Sequence, residues 1–248
     1  MKLYNGDCLE VMDKLIADGV KVDAIITDPP YGTTACKWDS VIPFPDMWER
    51  LNKLIKPNGA IVLFGSEPFS SALRMSNIKN YKYDWMWEKT RATGFANAKK
   101  QPLRNIEIVS VFYKKLPTYN PQGLKRINKK MKNSSSVGGE IVRGEMEDKN
   151  KGSLRTGGKE YTQEFTNYPK QKILFNSISK KKHPTQKPVA LMEYLIKTYT
   201  NENELVLDFT CGSGSTLVGA KNTNRKYIWI ELDKEYYEIA KKRIENQE

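Results

Sequence analysis

The chain has 248 residues, 39% of them hydrophobic, which is long enough for one α/β core with an inserted module and too apolar for a disordered chain. No apolar run reaches the roughly 18 residues that a membrane helix needs, and the first residues show no signal-peptide pattern, so a cytoplasmic protein with no membrane partner is expected. Three scattered cysteines and one histidine, His183, argue against a disulfide framework and against a metal site. The net charge of +12 is concentrated: 17 Lys/Arg and 6 Asp/Glu lie between Lys114 and Lys182, leaving 24 and 23 for the rest. A basic segment on a nearly neutral body is what a phosphate-binding module looks like, although a solvated loop has the same composition.

In chain order, Leu3–Tyr4 opens a short strand, and Leu9, Met12, Leu15 and Ile16 give Cys8–Ala17 helical spacing. Residues 23–27 form an apolar strand stopped by Asp28-Pro29-Pro30-Tyr31. A helix over 46–55 ends at Lys56-Pro57-Asn58-Gly59, a strand over 60–64 follows, then a helix over 68–75. Strands over 83–87 and 107–113 are placed to pair as a hairpin. The stretch 118–172 is poor in apolar residues and reads as a small β-rich or irregular module, or a segment that orders on a partner. Regularity returns with a helix over 188–199, a strand over 205–208, a glycine loop, a helix over 215–221, a strand over 227–231 and a helix over 234–246. Seven strands alternating with helices predict a mainly parallel α/β sheet covered on both faces.

Two loops carry the chemistry. Asp208-Phe209-Thr210-Cys211-Gly212-Ser213-Gly214 follows a strand and precedes a helix, and Glu231 closes the next strand, nineteen residues after Gly212. Glycines there let a backbone approach a ligand, and an acid in Glu231's place accepts the hydroxyls of a ribose. The third glycine of a dinucleotide fingerprint is absent, and Asp208 would repel a pyrophosphate. The loop therefore suits a nucleoside-like ligand with an ammonium group and no phosphate, such as S-adenosyl-L-methionine; a plain strand–helix turn is the bland alternative. In Asp28-Pro29-Pro30-Tyr31 two prolines remove N–H donors and leave acceptors, the Asp28 carboxylate and the Pro29 carbonyl. Two acceptors aimed at an exocyclic amino group make its nitrogen more nucleophilic and stabilise the charge that develops on it. Tyr31 offers a face for an extruded base.

Together these segments resemble the β group of S-adenosylmethionine-dependent DNA amino-methyltransferases of restriction–modification systems and phages, in which catalytic motif, variable region and cofactor loop follow in that order. The resemblance covers about 1–114 and 180–248 and makes them the catalytic domain. It leaves 115–179, the basic insert, as the target-recognition region. It implies a seven-stranded Rossmann-like methyltransferase sheet, double-stranded DNA as partner, a flipped base and frequent homodimers. It says nothing of a particular restriction nuclease. Asp7 and Cys8 match the start whose acid contacts the cofactor adenine. His183 and Lys187 match the segment bordering its methionine end, where Lys187 pairs with the carboxylate or stays solvated. Asp28, Asp208, Phe209, Cys211, Gly212, Ser213, Gly214, Thr216, Glu231 and Leu232 complete the expected cofactor wall, with Thr216 also expected to cap the following helix. Asp-Pro-Pro-Tyr is more usual for adenine N6, Ser-Pro-Pro-Tyr for cytosine N4. The alternatives are cytosine N4, an RNA or protein amide substrate, a DNA-binding module without catalysis, and a nicotinamide dehydrogenase. Cytosine C5 chemistry would need a Pro-Cys nucleophile, which the chain lacks.

Overall fold

A computed structural model describes residues 2–33, 39–132, 160–178 and 186–245. The chain divides into two compact units, Met1–Asn120 with Lys170–Glu248, and Pro121–Pro169. In chain order the larger unit contains β1 (Lys2–Asn5), α1 (Cys8–Ala17), β2 (Val22–Thr27), α2 (Phe44–Leu54), β3 (Ile55–Gly65), α3 (Phe69–Ser76), β4 (Tyr81–Thr93) and β5 (Arg104–Phe112). The smaller unit contributes β6 (Lys125–Lys132) and β7 (Glu160–Thr166). The larger one then resumes with β8 (Lys172–Phe175), α4 (Val189–Tyr199), β9 (Leu205–Asp208), α5 (Ser215–Asn222), β10 (Lys226–Glu231) and α6 (Lys234–Glu245).

The main sheet runs β1-β10-β9-β2-β3-β5-β4-β8. Neighbours from β1 to β3 are parallel, and β5 is antiparallel to both β3 and β4. Strands buried on both faces read as continuous apolar runs because alternate residues serve opposite layers. Ala24 and Ile26 of β2, with Val62 and Phe64 of β3, pack under α4, α5 and α6; Ile25, Ile61 and Leu63 pack under α1, α2 and α3. The large fully buried side chains on these faces, Leu51, Leu63, Ile25 and Phe64 among them, contribute roughly 1.5–3 kcal/mol each relative to exposure. Among the described residues no helix is long and apolar enough to cross a membrane.

The structure departs from the sequence reading in three places. An eighth strand, β8, pairs in parallel with β4, Trp87 opposite Ile173; it lies within the stretch expected to be a separate insert, and the smaller unit is correspondingly shorter, 121–169. Lys56-Pro57-Asn58-Gly59 is a bulge inside β3, not a turn before it: pairing with β2 jumps from Val22–Ile55 to Ala24–Ala60. Gly59 is required there, because a Cβ would come within 2.7 Å of the Asp23 carbonyl oxygen. The expected hairpin is present but longer, spanning 81–112. In the smaller unit β6 and β7 form an antiparallel ribbon, and Lys125, Arg126, Lys129, Lys130 and Lys132 are all exposed on β6.

Candidate active site

β2 and β9 lie side by side, Ile25 opposite Leu207, and from this pair the sheet grows outward in both directions. Loops leaving such a switch point diverge and open a crevice at the carboxyl ends of the strands. A cavity of about 340 Å³ occupies it, within the range of small-molecule sites. Its walls include Asp28, Pro29, Pro30 and Tyr31 after β2, and Asp208, Phe209, Cys211, Gly212 and Ser213 after β9. Thr216 of α5, Glu231 and Leu232 at the end of β10, Asp7 and Cys8 at the start of α1, and Lys187 complete them. Gly214 does not itself line the cavity: at φ 77° it precedes α5, and a Cβ there would stand 3.1 Å from Ala240, Leu217 and Trp229, so the position is closely packed. His183 lies outside the described residues.

The cofactor-loop acids are held by their neighbours. Glu231 accepts the Gly212 and Asp233 backbone N–H groups at 2.7 and 2.9 Å, tying the loops after β9 and β10 together, and burial raises its pKa. Asp208 accepts the Thr27 hydroxyl, the Thr210 N–H at 3.2 Å and the Thr216 hydroxyl; burial raises it to about 6. Thr216 therefore serves Asp208 and does not cap α5, whose capping residue is Gly214. Asp7 caps α1 through the Leu9 and Glu10 N–H groups. Burial pushes the Cys8 thiol up to about 12 and Cys211 well above its ordinary value, which leaves neither a nucleophile.

The turn after β2 is fixed by Asp39, which accepts the backbone N–H groups of Tyr31, Gly32 and Thr33 at 2.8–2.9 Å. The Tyr31 hydroxyl donates to Asp28, and its ring packs on Phe69 with centroids 5.0 Å apart. Thr210 donates its hydroxyl to the Asp28 carbonyl at 3.1 Å, joining the two loops.

Lys187 is neither solvated nor unpaired. Its Nζ lies 2.7 Å from Asp28 and 2.6 Å from Glu107 of β5, and Glu107 in turn holds Lys89 of β4 at 2.6 Å. Burial alone would discharge Lys187, but the two carboxylates hold it at about 12. Burial and the Glu107 charge raise Asp28, with Lys187 opposing them; Glu107, desolvated but served by two lysines, stays below its ordinary value. Asp28 is thus the carboxylate of the pair that takes a proton first as pH falls.

Five carboxylates and one lysine line the cavity among the described residues, and that lysine is already neutralised. A phosphate-bearing ligand would be repelled there, while a cation is favoured. The Ser215 hydroxyl, buried in the wall without a hydrogen-bond partner among the described residues, is a further polar group for a ligand. The family model for DNA methylases of the N6/N4 type matches residues 22–242. The chain belongs to this DNA methylase family.

The methylase is 29% identical to the type II methyltransferase M.HpaI of Haemophilus parainfluenzae over 91% of its own length and 69% of the relative's. It is 28% identical to M2.LlaDCHI of Lactococcus lactis subsp. cremoris over 98% and 88%. The crystal structure of the M1.HpyAVI–SAM complex is 30% identical, with a TM-score of 0.65 and 98% of both chains covered. PvuII DNA methyltransferase, described as cytosine-N4-specific, shares the fold at 16% identity and TM-score 0.67. The methyl donor of the methylase is S-adenosyl-L-methionine, and the acidic, phosphate-repelling cavity suits its sulfonium and ammonium charges. Sequence reasoning found both loops but missed Glu107, Lys89 and Asp39. The only signal for Glu107 and Asp39 was an acid on an apolar strand and one shortly after the catalytic turn, and Lys89 carried none.

Proposed function

We propose that this DNA methyltransferase modifies N6 of adenine in duplex DNA, with the base extruded into the cavity beside Asp28. The observation that carries the reading is the position of Asp28: a partly buried carboxylate of raised pKa, in a donor-poor turn, in the same cavity as the acids of the cofactor loop. Glu231 is assigned to the cofactor ribose, Asp7 to the side of its adenine, and Asp208 with the Gly212 turn to its charged end. When bound, the cofactor supplies an electrophilic methyl group on a sulfonium sulfur. The amino N–H groups donate to the Asp28 carboxylate and the Pro29 carbonyl, which draws the nitrogen lone pair out of the ring. Lys187 and Tyr31 each hold one oxygen of Asp28 and leave lone pairs for the amino group. As the nitrogen gains charge, its proton passes to Asp28, whose raised pKa fits it to receive one.

The acid at the head of the Asp-Pro-Pro-Tyr turn favours adenine, and the basic segment 115–179, with its β6–β7 ribbon, is assigned to target recognition. A two-stranded ribbon is of a size that the major groove admits. Cytosine N4 is the second reading, since it offers the same amino chemistry. The purified protein, supplied with tritiated S-adenosylmethionine and separately with unmethylated DNA, RNA and protein, tests the assignment: label recovered as N6-methyl-2'-deoxyadenosine from DNA supports it, and label in N4-methyl-2'-deoxycytidine, RNA or protein replaces it.

A further inference from the structure

The β4–β5 hairpin projects past the edge of the sheet at which the cavity opens. β3 pairs with β5 only as far as Gly65 opposite Ile108, whereas β4 and β5 pair on to Thr93 opposite Arg104. At its base stand Lys89 and Glu107, the outer members of the Asp28 cluster. At its tip Gly94, at φ 90°, turns the chain into a short 3-10 turn, Phe95–Asn97. Six residues from Lys89 to Phe95 span at most about 20 Å.

Phe95 is 83% exposed, the most exposed large apolar side chain among the described residues. Lone exposed apolar residues are ordinary, but this one sits in an unusual setting. From Lys89 through Ile106 the chain carries five Lys/Arg and no Asp/Glu, and Arg91, Lys99, Lys100 and Arg104 are all exposed. A cationic surround around an aromatic ring favours a polyanion with flat faces over an apolar protein partner.

We propose that Phe95 is a wedge that enters the base stack of duplex DNA next to the target and holds open the gap left by the extruded base, while the four cations grip the flanking phosphates. This rests on the reading of the chain as a DNA amino-methyltransferase. Apolar wedges unstack base steps in proteins that distort DNA, and a phenyl ring stacks on any base, so the wedge adds extrusion without adding sequence preference.

Once the modified position has been mapped in DNA from expressing cells, two synthetic duplexes test the wedge, one intact and one with an abasic site opposite the target base. Phe95→Ala is expected to lower kcat/KM at least tenfold on the intact duplex and less than twofold on the abasic one, whose target is already unpaired; Phe95→Trp keeps both rates. Equal losses on the two duplexes, or no loss on the intact one, overturn the wedge and leave methyl transfer standing. If the unaltered protein modifies no DNA, so that no position can be mapped, the underlying reading falls and the wedge with it.

Discussion

Replacing Glu107 by glutamine removes one of the two carboxylates that share the Lys187 ammonium. Their oxygens lie 2.7 and 2.6 Å from one nitrogen, hence no more than about 5 Å from each other. At an effective dielectric of about 20, two negative charges at that distance repel by about 3 kcal/mol, or about 2 pK units. Lys187 screens part of this, so a fall of about one unit in the Asp28 pKa is expected. Proton acceptance requires ionised Asp28, so the rate drops as pH falls through that pKa. In Glu107→Gln the acid limb of the kcat/KM profile therefore moves about one unit lower; in Glu107→Asp, which keeps the charge, it returns. Lys187 retains Asp28, and Lys89 is 23% exposed and turns to water, so the stability cost stays below the roughly 3–5 kcal/mol of an orphaned buried charge. Tritium transfer to DNA between pH 5 and 9, with a thermal melt of each variant, decides the matter. An acid limb that does not move in a folded Glu107→Gln protein refutes the shared-lysine argument.

Glu231→Ala frees the Gly212 and Asp233 N–H groups and removes the ribose acceptor. Calorimetry should show cofactor affinity at least tenfold weaker with DNA affinity unchanged, and an unaltered cofactor Kd would remove Glu231 from the site. Asp208 is raised to about 6, so it is ionised above that pH and neutral below it. S-adenosylmethionine affinity should weaken as pH falls through 6, and S-adenosylhomocysteine, lacking the sulfonium charge, should weaken less; parallel pH profiles for the two would contradict the electrostatic role.

What could be read in the sequence was what local pattern encodes. The apolar run ending at Asp28 and the glycine loop after Asp208 identified two strand ends, and the topology brings those two strands next to each other. Cys8–Ala17 was legible to its boundaries because its apolar spacing lies within one short stretch, whereas the cap that Asp7 places on it was not read, Asp7 being taken only as a cofactor contact. The Asp28–Lys187–Glu107 cluster was not, because its members are separated by up to 159 residues and meet only through the sheet order. β8 was hidden by its length of four residues and its basic surroundings. Gly59 was read as a turn because a bulge uses the same residues as a turn.

The most direct test of the central claim is a digest to nucleosides of genomic DNA from cells expressing either the unaltered protein or Asp28→Ala, with mass spectrometry of the modified bases. N6-methyladenine that appears with the first and is absent with the second is the predicted result. N6-methyladenine that persists with Asp28→Ala, or DNA left unmodified by both, would contradict the claim.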